Sequence, residues 1–325
     1  MSPPRPPRPS GAPGRRPASG SRAGGGRSEG RPSGGRAGRA GGGRAGGGRA
    51  EGGRAGGGRT GPGPPAEARR GGRAADELGG DQVEGRRAVI ELLGAGRRRA
   101  YRVLLADGLE SSPQLDQIER LAAAGRVPVE TISRGRLAAT ARTDAPQGVV
   151  ALASAVRPVD LAELVDERAP AFLLVVDGVT DPHNLGALLR SAECAGVTGV
   201  VLPRHRSAHL TPTVTKVAAG AVEHLRFALV GGIPAALTQL RAAGVWAVGL
   251  AGEASRSLYD VTLGDAPVAL VVGAEERGLA PLVRRRCDEL VAIPHQGRIS
   301  SLNVGAAGAV ACFELARQRA GAGGS

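Results

Sequence analysis

The chain has 325 residues and a formal net charge of +13, which is enough length for one large or two modest domains. Its three cysteines, Cys194, Cys287 and Cys312, are odd in number and widely separated, which argues against a disulfide framework and a cysteine-based metal site. The basic N-terminus lacks the apolar segment of a secretory signal, and no apolar run approaches the ~20 residues of a membrane-spanning helix. We therefore expect a cytoplasmic protein without a membrane anchor or a metal.

Residues 1–82 are expected to form a disordered tail rich in Arg, Gly and Pro. The first 80 positions hold 16 arginines against 5 acidic residues, and their only large apolar residues are Met1 and Leu78. Such a segment cannot bury enough apolar area to offset the entropy lost on ordering. Arginine recurs at every fifth position over 39–59. Two interpretations stay open: an arm that neutralises RNA phosphates, or an arginine-biased composition, since Lys216 is the only lysine in the chain.

Residues 83–155 are predicted to fold as a small α/β domain, because short apolar runs alternate with helical patterns. Ser112 followed by Pro113 is a typical start of a helix. The predicted helices are Arg86–Leu93, Pro113–Ala124 and Arg134–Ala141, and the predicted strands are Tyr101–Leu105, Val127–Ile132 and Gln147–Ala153. No set of reactive side chains occurs here, so we expect a binding or positioning domain.

Residues 156–170 are expected to form a helical linker that ends at Pro170, and residues 171–320 a second α/β domain. The strands of this domain are nearly continuous apolar runs, which is typical of a parallel sheet covered on both faces. The predicted strands are Phe172–Val176, Gly199–Leu202, Phe227–Val230, Val245–Leu250, Val268–Val272 and Leu290–Ile293. The predicted helices are Leu185–Ala195, Thr213–Leu225, Pro234–Ala243, Pro281–Arg286 and Leu302–Arg319. Ligands of open α/β sheets bind beyond the carboxyl ends of the strands, so the loops at those ends are the candidate sites.

Three of these loops are rich in polar residues. In the first, Asn184 is suited to cap a helix, and Arg190 follows on that helix, where it requires either a substrate or a helical partner such as Glu193. The second loop contains Glu275, and the third contains Ser301 and Asn303. No G-x-G-x-x-G follows the first strand, which argues against a dinucleotide site.

The three loops, in this order and spacing, resemble the SpoU family of RNA ribose methyltransferases. The segments that carry the resemblance are DGVTDPHNLGALLRSAECAG, VVGAEERGL and IPHQGRISSLNVGAAGAV, with a further match at AAGAVEHL. Together they span about residues 171–316. Upstream, EGRRAV and QGVVA resemble the L30e-like substrate-binding domain of the family branch that modifies a guanosine of 23S ribosomal RNA.

The resemblance implies a fold, a cofactor and a set of functional residues. It implies a C-terminal parallel-sheet domain with a trefoil knot (the SPOUT fold), which the general rarity of knots would not predict, and a homodimer with the active site near the subunit interface. It implies methyl transfer from S-adenosylmethionine to a ribose 2′-hydroxyl of RNA. The residues that match the catalytic motifs are Asn184, Arg190, Glu275, Ser301 and Asn303. The residues that match the cofactor-binding positions are Gly273, Ile293 and Leu302.

The role of Arg190, the effect of His295 and the choice among related functions stay open at this point. Arg190 matches the residue that activates the hydroxyl, either as a base or as an electrostatic stabiliser of the alkoxide. His295 stands where the family commonly has an apolar residue. The alternative functions are a transfer RNA guanosine 2′-O-methyltransferase, a 23S ribosomal RNA adenosine methyltransferase that confers antibiotic resistance, and a catalytically silent RNA-binding assembly factor. The complete set of polar motif residues disfavours the last of these.

Overall fold

The computed structural model describes residues 78–165, 169–205, 208–263, 265–299 and 301–322. The predicted tail lies outside these ranges except for its last five positions. There, Leu78 is 1% exposed in the core of the C-terminal domain, and Gly79 forms an isolated bridge with Leu210. Leu78 and Gly79, which the sequence assigned to the tail, therefore contact the C-terminal domain.

The N-terminal domain, residues 82–153, is a four-stranded sheet with the order β1-β4-β2-β3. Its strands are β1 (Gln82–Glu84), β2 (Ala100–Ala106), β3 (Val129–Ile132) and β4 (Val149–Ala153), and its helices are α1 (Arg86–Ala95), α2 (Pro113–Ala124) and α3 (Arg134–Thr140). β1 was not predicted, because it has three residues and two of them are polar. The Glu84 carboxylate is fully buried, and the backbone N–H groups of Arg142 and Thr143 donate to it.

The C-terminal domain, residues 171–322, is a seven-stranded parallel sheet, which confirms the predicted fold class. The strand order is β7-β6-β5-β10-β8-β11-β9, and the described strand pairs are parallel. The strands are β5 (Phe172–Asp177), β6 (Gly199–Pro203), β7 (Phe227–Val230), β8 (Trp246–Leu250), β9 (Arg256–Ser257), β10 (Val268–Gly273) and β11 (Glu289–Ala292). The helices are α4 (Pro182–Cys194), α5 (Pro212–Val217), α6 (Ile233–Ala242), α7 (Pro281–Arg286) and α8 (Val304–Ala322).

Two predicted helical segments differ in the structure. The helix expected over Thr213–Leu225 is α5 followed by a separate 3₁₀ turn, Ala221–Glu223. The chain breaks between them because Ala219 and Gly220 have φ values of 52° and 91°, outside the helical region. In the described part of the linker, residues 156–165, 169 and 170, the helical structure is a 3₁₀ turn, Leu161–Leu164.

Apolar side chains from both faces of the sheet form the core of the C-terminal domain. On one face α4 packs against α8, and small residues allow the close approach: a Cβ atom on Gly308 would overlap the Leu188 side chain. In the part of the chain that the structure describes, none of the helices combines the length and the hydropathy that crossing a bilayer requires.

A buried ion pair joins the two domains. Arg98, just before β2, contacts Glu223 of the 3₁₀ turn through two bonds, Nη2 to Oε1 at 2.6 Å and Nε to Oε2 at 2.8 Å. The two side chains are 8% and 3% exposed. Arg98 Nη1 also donates to the backbone carbonyls of Gly80 and Ser154, both at 2.5 Å. All three guanidinium nitrogens thus have acceptors at the domain boundary.

Candidate active site

The loop after β5 starts α4 earlier than predicted. Asp181 is the N-cap, its carboxylate accepts a hydrogen bond from the His183 backbone N–H at 3.0 Å, and Pro182 occupies the first helical position. The hypothesis that Asn184 caps this helix is therefore wrong. Asp181 takes that role because the following proline disfavours helical geometry at position 181 and fits the first turn. The Asn184 side chain is left to make other contacts.

Asn184 lies at the centre of a hydrogen-bonded cluster drawn from all three motif loops. Its Nδ2 donates to Glu275 Oε2 at 2.8 Å, and its Oδ1 accepts from Asn303 Nδ2, also at 2.8 Å. Asn303 Nδ2 is also 3.3 Å from Glu275 Oε1. Asn184 is 8% exposed, so these contacts replace the hydration that burial removes. The structure thus brings together three of the five predicted catalytic residues.

Asn303 also starts α8. Its Oδ1 accepts hydrogen bonds from the backbone N–H groups of Gly305 at 2.9 Å and Ala306 at 3.3 Å, which is the geometry of a helix N-cap. A single side chain therefore fixes the start of the last helix and joins it to the first two motif loops.

The loop after β10 is held against the end of β5. The Asp177 carboxylate accepts a hydrogen bond from the Ala280 backbone N–H at 2.7 Å. The backbones of Ala274 and Gly278 exchange two hydrogen bonds, of 3.1 and 2.8 Å, which close a tight turn around Glu275. Gly273 is needed here, because a Cβ atom at this position would overlap the Gly278 backbone. Asp177 had no predicted role, although an acidic residue at the carboxyl end of a strand is a usable signal for one.

The remaining predicted residues lie near these loops but outside the cluster. Ser301 is exposed and has no hydrogen bond to another described residue. Ile293 follows β11 and packs, partly buried, against the core, and Leu302 is 43% exposed just before α8.

Arg190 is exposed on α4 and makes no hydrogen bond or ion pair with any described residue. The helical ion pair with Glu193 is thus not formed. Arg190 lies six residues after Asn184, which rotates its side chain roughly 120° away from Asn184 around the helix axis. Its side chain is therefore exposed on a different side of α4 from Asn184.

Other reactive groups are not arranged for catalysis. Burial, assisted by the negative charges of Asp288 and Asp177, raises the pKa of the Cys287 thiol to about 12, so this thiol is not a nucleophile at neutral pH. No group of three or more metal-binding side chains occurs within the described ranges.

Comparison with known proteins places this geometry in a family. The family model described as the SpoU rRNA Methylase family matches residues 171–313, and the model described as RNA 2′-O ribose methyltransferase substrate binding matches residues 82–159. A relative from Pseudomonas putida, named 23S rRNA (guanosine-2′-O-)-methyltransferase RlmB, is 42% identical over 243 residues, which cover 74% of this chain and 97% of the relative. The chain belongs to the SpoU family.

Other SpoU-related proteins extend this similarity. A Haemophilus influenzae protein with the same name is 39% identical, and the aligned residues cover 74% of this chain and 99% of that protein. The crystal structure of an AdoMet-bound rRNA methyltransferase from Sinorhizobium meliloti has a TM-score of 0.61 at 26% identity, covering 73% of this chain and 86% of that one. A crystal structure of an RNA 2′-O ribose methyltransferase has a TM-score of 0.59 at 28% identity, with 73% and 88% coverage.

The loops at this edge of the SpoU domain fit S-adenosylmethionine, the family's cofactor. The peptide groups of residues 294–299 form no hydrogen bonds with other described residues, and Ile299 and Leu302 present exposed apolar side chains beside them. Free backbone donors and acceptors next to apolar side chains suit an adenosyl group that is bound mainly through the backbone.

Proposed function

We propose that this SpoU protein is an S-adenosylmethionine-dependent methyltransferase that modifies the ribose 2′-hydroxyl of a guanosine in 23S ribosomal RNA in the cytoplasm. One observation carries the proposal: Asn184, Glu275 and Asn303 join the three motif loops in one hydrogen-bonded cluster. Arg190 is exposed six residues further along the same helix as Asn184, without a partner among the described residues. The names of relatives that are 39–42% identical support the choice of guanosine and of 23S ribosomal RNA.

The residues of the site bind the cofactor, orient the reacting groups and stabilise the charge that develops on the ribose oxygen. Gly273, Ile293 and Leu302 would hold S-adenosylmethionine, which supplies an electrophilic methyl group when bound. Both ends of the Asn184 amide are engaged with Glu275 and Asn303, so we assign these three side chains to positioning the loops. Such preorganisation aligns the reacting oxygen with the methyl group.

Arg190 acts on the RNA by electrostatics in this proposal. Arginine side chains are poor general bases, because the guanidinium group stays protonated at neutral pH. Arg190 stabilises the alkoxide that forms from the 2′-hydroxyl, or it orients the adjacent phosphate. The alternative role as a general base is therefore the weaker one.

Single-turnover methyl transfer to 23S ribosomal RNA tests this role. We expect Arg190→Ala to lower the rate by roughly 10²–10⁴-fold, with little change in cofactor affinity or melting temperature, because the side chain has no structural partner. Arg190→Lys should restore little, since a point charge does not reproduce the planar guanidinium. Arg285→Ala is the matched control, because Arg285 is equally exposed and unpartnered among the described residues but lies on α7. Near-normal turnover of folded Arg190→Ala would contradict the role.

Mapping of the product tests the substrate. Mass spectrometry of wild-type reactions should place the methyl group on a guanosine of 23S ribosomal RNA. Each other outcome supports one alternative. Methylation of a transfer RNA indicates the transfer RNA enzyme, and methylation of an adenosine indicates the resistance methyltransferase. A folded protein that transfers no methyl group indicates the silent assembly factor.

We also propose that α8 forms a homodimer interface. Its exposed residues Ala306, Val310 and Phe313 follow one another at spacings of four and three, so they form one stripe along the helix. Val310 is 36% and Phe313 51% exposed, and a contiguous apolar stripe of this kind is typical of an interaction surface. Phe313→Glu should yield a monomer in sedimentation equilibrium, whereas Leu282→Glu, at the exposed Leu282 of α7, should leave the dimer intact. A monomeric wild type contradicts the proposal.

Three finer features of the architecture complete the proposal. We propose a trefoil knot, supported by the return of α8 from the β11 side of the sheet to pack on α4 and β10. We propose that the N-terminal domain is L30e-like, supported by its mixed four-stranded sheet and three helices. The expected disorder of the tail concerns residues outside the described ranges and stays a prediction.

A further inference from the structure

An exposed tyrosine lies in an arginine-rich segment of the N-terminal domain, apart from the catalytic loops. The segment is RRRAYR, residues 97–102, and Tyr101 is 50% exposed. The chain has only two tyrosines, and the second, Tyr259 in the C-terminal domain, is 53% exposed. Neither ring serves the core.

The backbone at Tyr101 is shaped so that the residue has no cross-strand partner. In the pairing of β2 with β4, Ala100 lies opposite Ala153 and Arg102 opposite Leu152, so the register shifts between Ala100 and Arg102. Tyr101 is the extra residue of this bulge. Bulges redirect side chains away from the regular alternation of a sheet, and here the redirected ring points into solvent.

Arginines lie next to Tyr101 in space and in sequence. The Arg99 guanidinium carbon lies 5.5 Å from the Tyr101 ring centroid, a cation–π contact. The Arg102 side chain is 51% exposed, and its ion pair is a long one, 4.0 Å to Glu130, a carboxylate that Arg136 shares at 3.4 Å. The patch therefore combines an exposed aromatic ring, one contacting guanidinium and a second exposed arginine in one short segment.

An aromatic face flanked by arginines suits a ligand that has both flat rings and regularly spaced negative charges. Unpaired RNA has both, because its bases are free to stack and its phosphates are exposed. Duplex RNA offers the phosphates alone, since its bases already stack on each other. A protein partner would need an acidic surface with a pocket for the ring. No feature of the patch favours such a surface over RNA.

We propose that Tyr101 is a stacking platform for an unpaired base of the RNA substrate, with Arg99 and Arg102 binding the phosphates on either side. This inference rests on the proposed function, because it takes RNA to be the substrate. It places a determinant of substrate choice on the N-terminal domain, and it requires the target to present a single-stranded base near the methylated nucleotide.

Photocrosslinking and equilibrium binding test the proposal on the full chain. The probes are a 12-nucleotide single-stranded RNA that carries 5-iodouridine and a duplex of the same length. We expect a crosslink that mass spectrometry maps to Tyr101 and not to Tyr259. Tyr101→Ala should weaken binding of the single strand by about 5–150-fold, the range for loss of one stacked base, and leave duplex binding unchanged. Tyr101→Phe keeps the ring and should bind like the wild type.

Salt dependence separates stacking from charge. Tyr101→Ala should leave the slope of log affinity against log salt unchanged, whereas Arg102→Ala should reduce it by about 0.7, as expected for one phosphate contact on a single strand. Tyr259→Ala is the matched control and should bind like the wild type. Equal melting temperatures of the variants establish that the fold is intact, and the wild-type crosslink at Tyr101 serves as the readout if Tyr101→Ala unfolds.

The outcomes distinguish this inference from the proposed function. If the wild type methylates 23S ribosomal RNA while Tyr101→Ala binds the single strand normally, or if no crosslink maps to Tyr101, the stacking platform is refuted and the methyltransferase stands. If Tyr101→Ala changes self-association in sedimentation and leaves RNA binding unchanged, the patch binds protein and the inference is equally refuted. If the wild type transfers no methyl group to RNA, the proposed function fails whatever Tyr101 binds.

Discussion

Removal of the Arg98 side chain is expected to destabilise the protein more than removal of any exposed ion pair does. The Arg98→Ala variant leaves the Glu223 carboxylate, which is 3% exposed, without its cation, and it leaves the carbonyls of Gly80 and Ser154 without a donor. Loss of one partner from a buried pair costs roughly 3–5 kcal/mol, because the remaining charge stays buried. This is a large share of the ~5–15 kcal/mol that stabilises a typical domain.

Urea denaturation followed by circular dichroism measures the effect. With a slope of about 2–3 kcal/mol per molar urea, the expected loss lowers the midpoint by about 1–2.5 M. Because the pair joins the two domains, we also expect the single transition of the wild type to separate into two. The control is Arg136→Ala, which removes an exposed pair with Glu130, with side chains 68% and 43% exposed, and should cost less than about 1 kcal/mol.

A double replacement tests whether the cost comes from the unpaired charge. The variant with Arg98→Met and Glu223→Leu removes both charges and keeps apolar volume, so it should regain most of the lost stability. The reasoning is refuted if Arg98→Ala loses no more than Arg136→Ala, or if the double variant is as unstable as Arg98→Ala.

Three further predictions concern the tail and the thiols. Deletion of residues 1–77, which ends before the buried Leu78, should leave turnover on a minimal RNA intact, weaken RNA binding and flatten the logarithmic salt slope by about 0.7–0.9 per lost phosphate contact; an unchanged slope would show that the tail takes no part in binding. Ellman's reagent at neutral pH should modify the exposed Cys194 rapidly and the other two thiols only on unfolding, because burial raises the pKa values of Cys287 and Cys312 to about 12. Their raised pKa values also predict that the free energy of unfolding falls as the pH rises from about 9 toward 12, because the unfolded thiols release protons over this range and the folded ones do not. Denaturation with guanidinium chloride at several pH values should show that the free energy of unfolding falls less with pH in Cys312→Ala than in the wild type. An equal fall in the two proteins would contradict this linkage.

Local signals in the sequence were sufficient for most elements. Pro113–Ala124, Phe227–Val230 and Pro281–Arg286 have the predicted bounds, because prolines, caps and apolar runs act within a few residues of the ends that they determine. The same signals identified the three polar loops and the carboxyl edge of a parallel sheet. The resemblance of these loops then indicated the SpoU family.

The arrangement of the site depends on contacts between distant parts of the chain. Asn184 had a plausible local role as a helix cap, but its partner Glu275 is 91 residues away and its partner Asn303 is 119 residues away. The Arg98–Glu223 pair spans 125 residues. A local pattern states which side chain is suited to a role, whereas strand order and helix packing determine which partners are within reach. The sequence by itself therefore determined the elements and the candidate residues, and only the tertiary structure decided that Asp181 caps α4, that Asn184 joins the three loops and that Arg190 has no partner among the described residues.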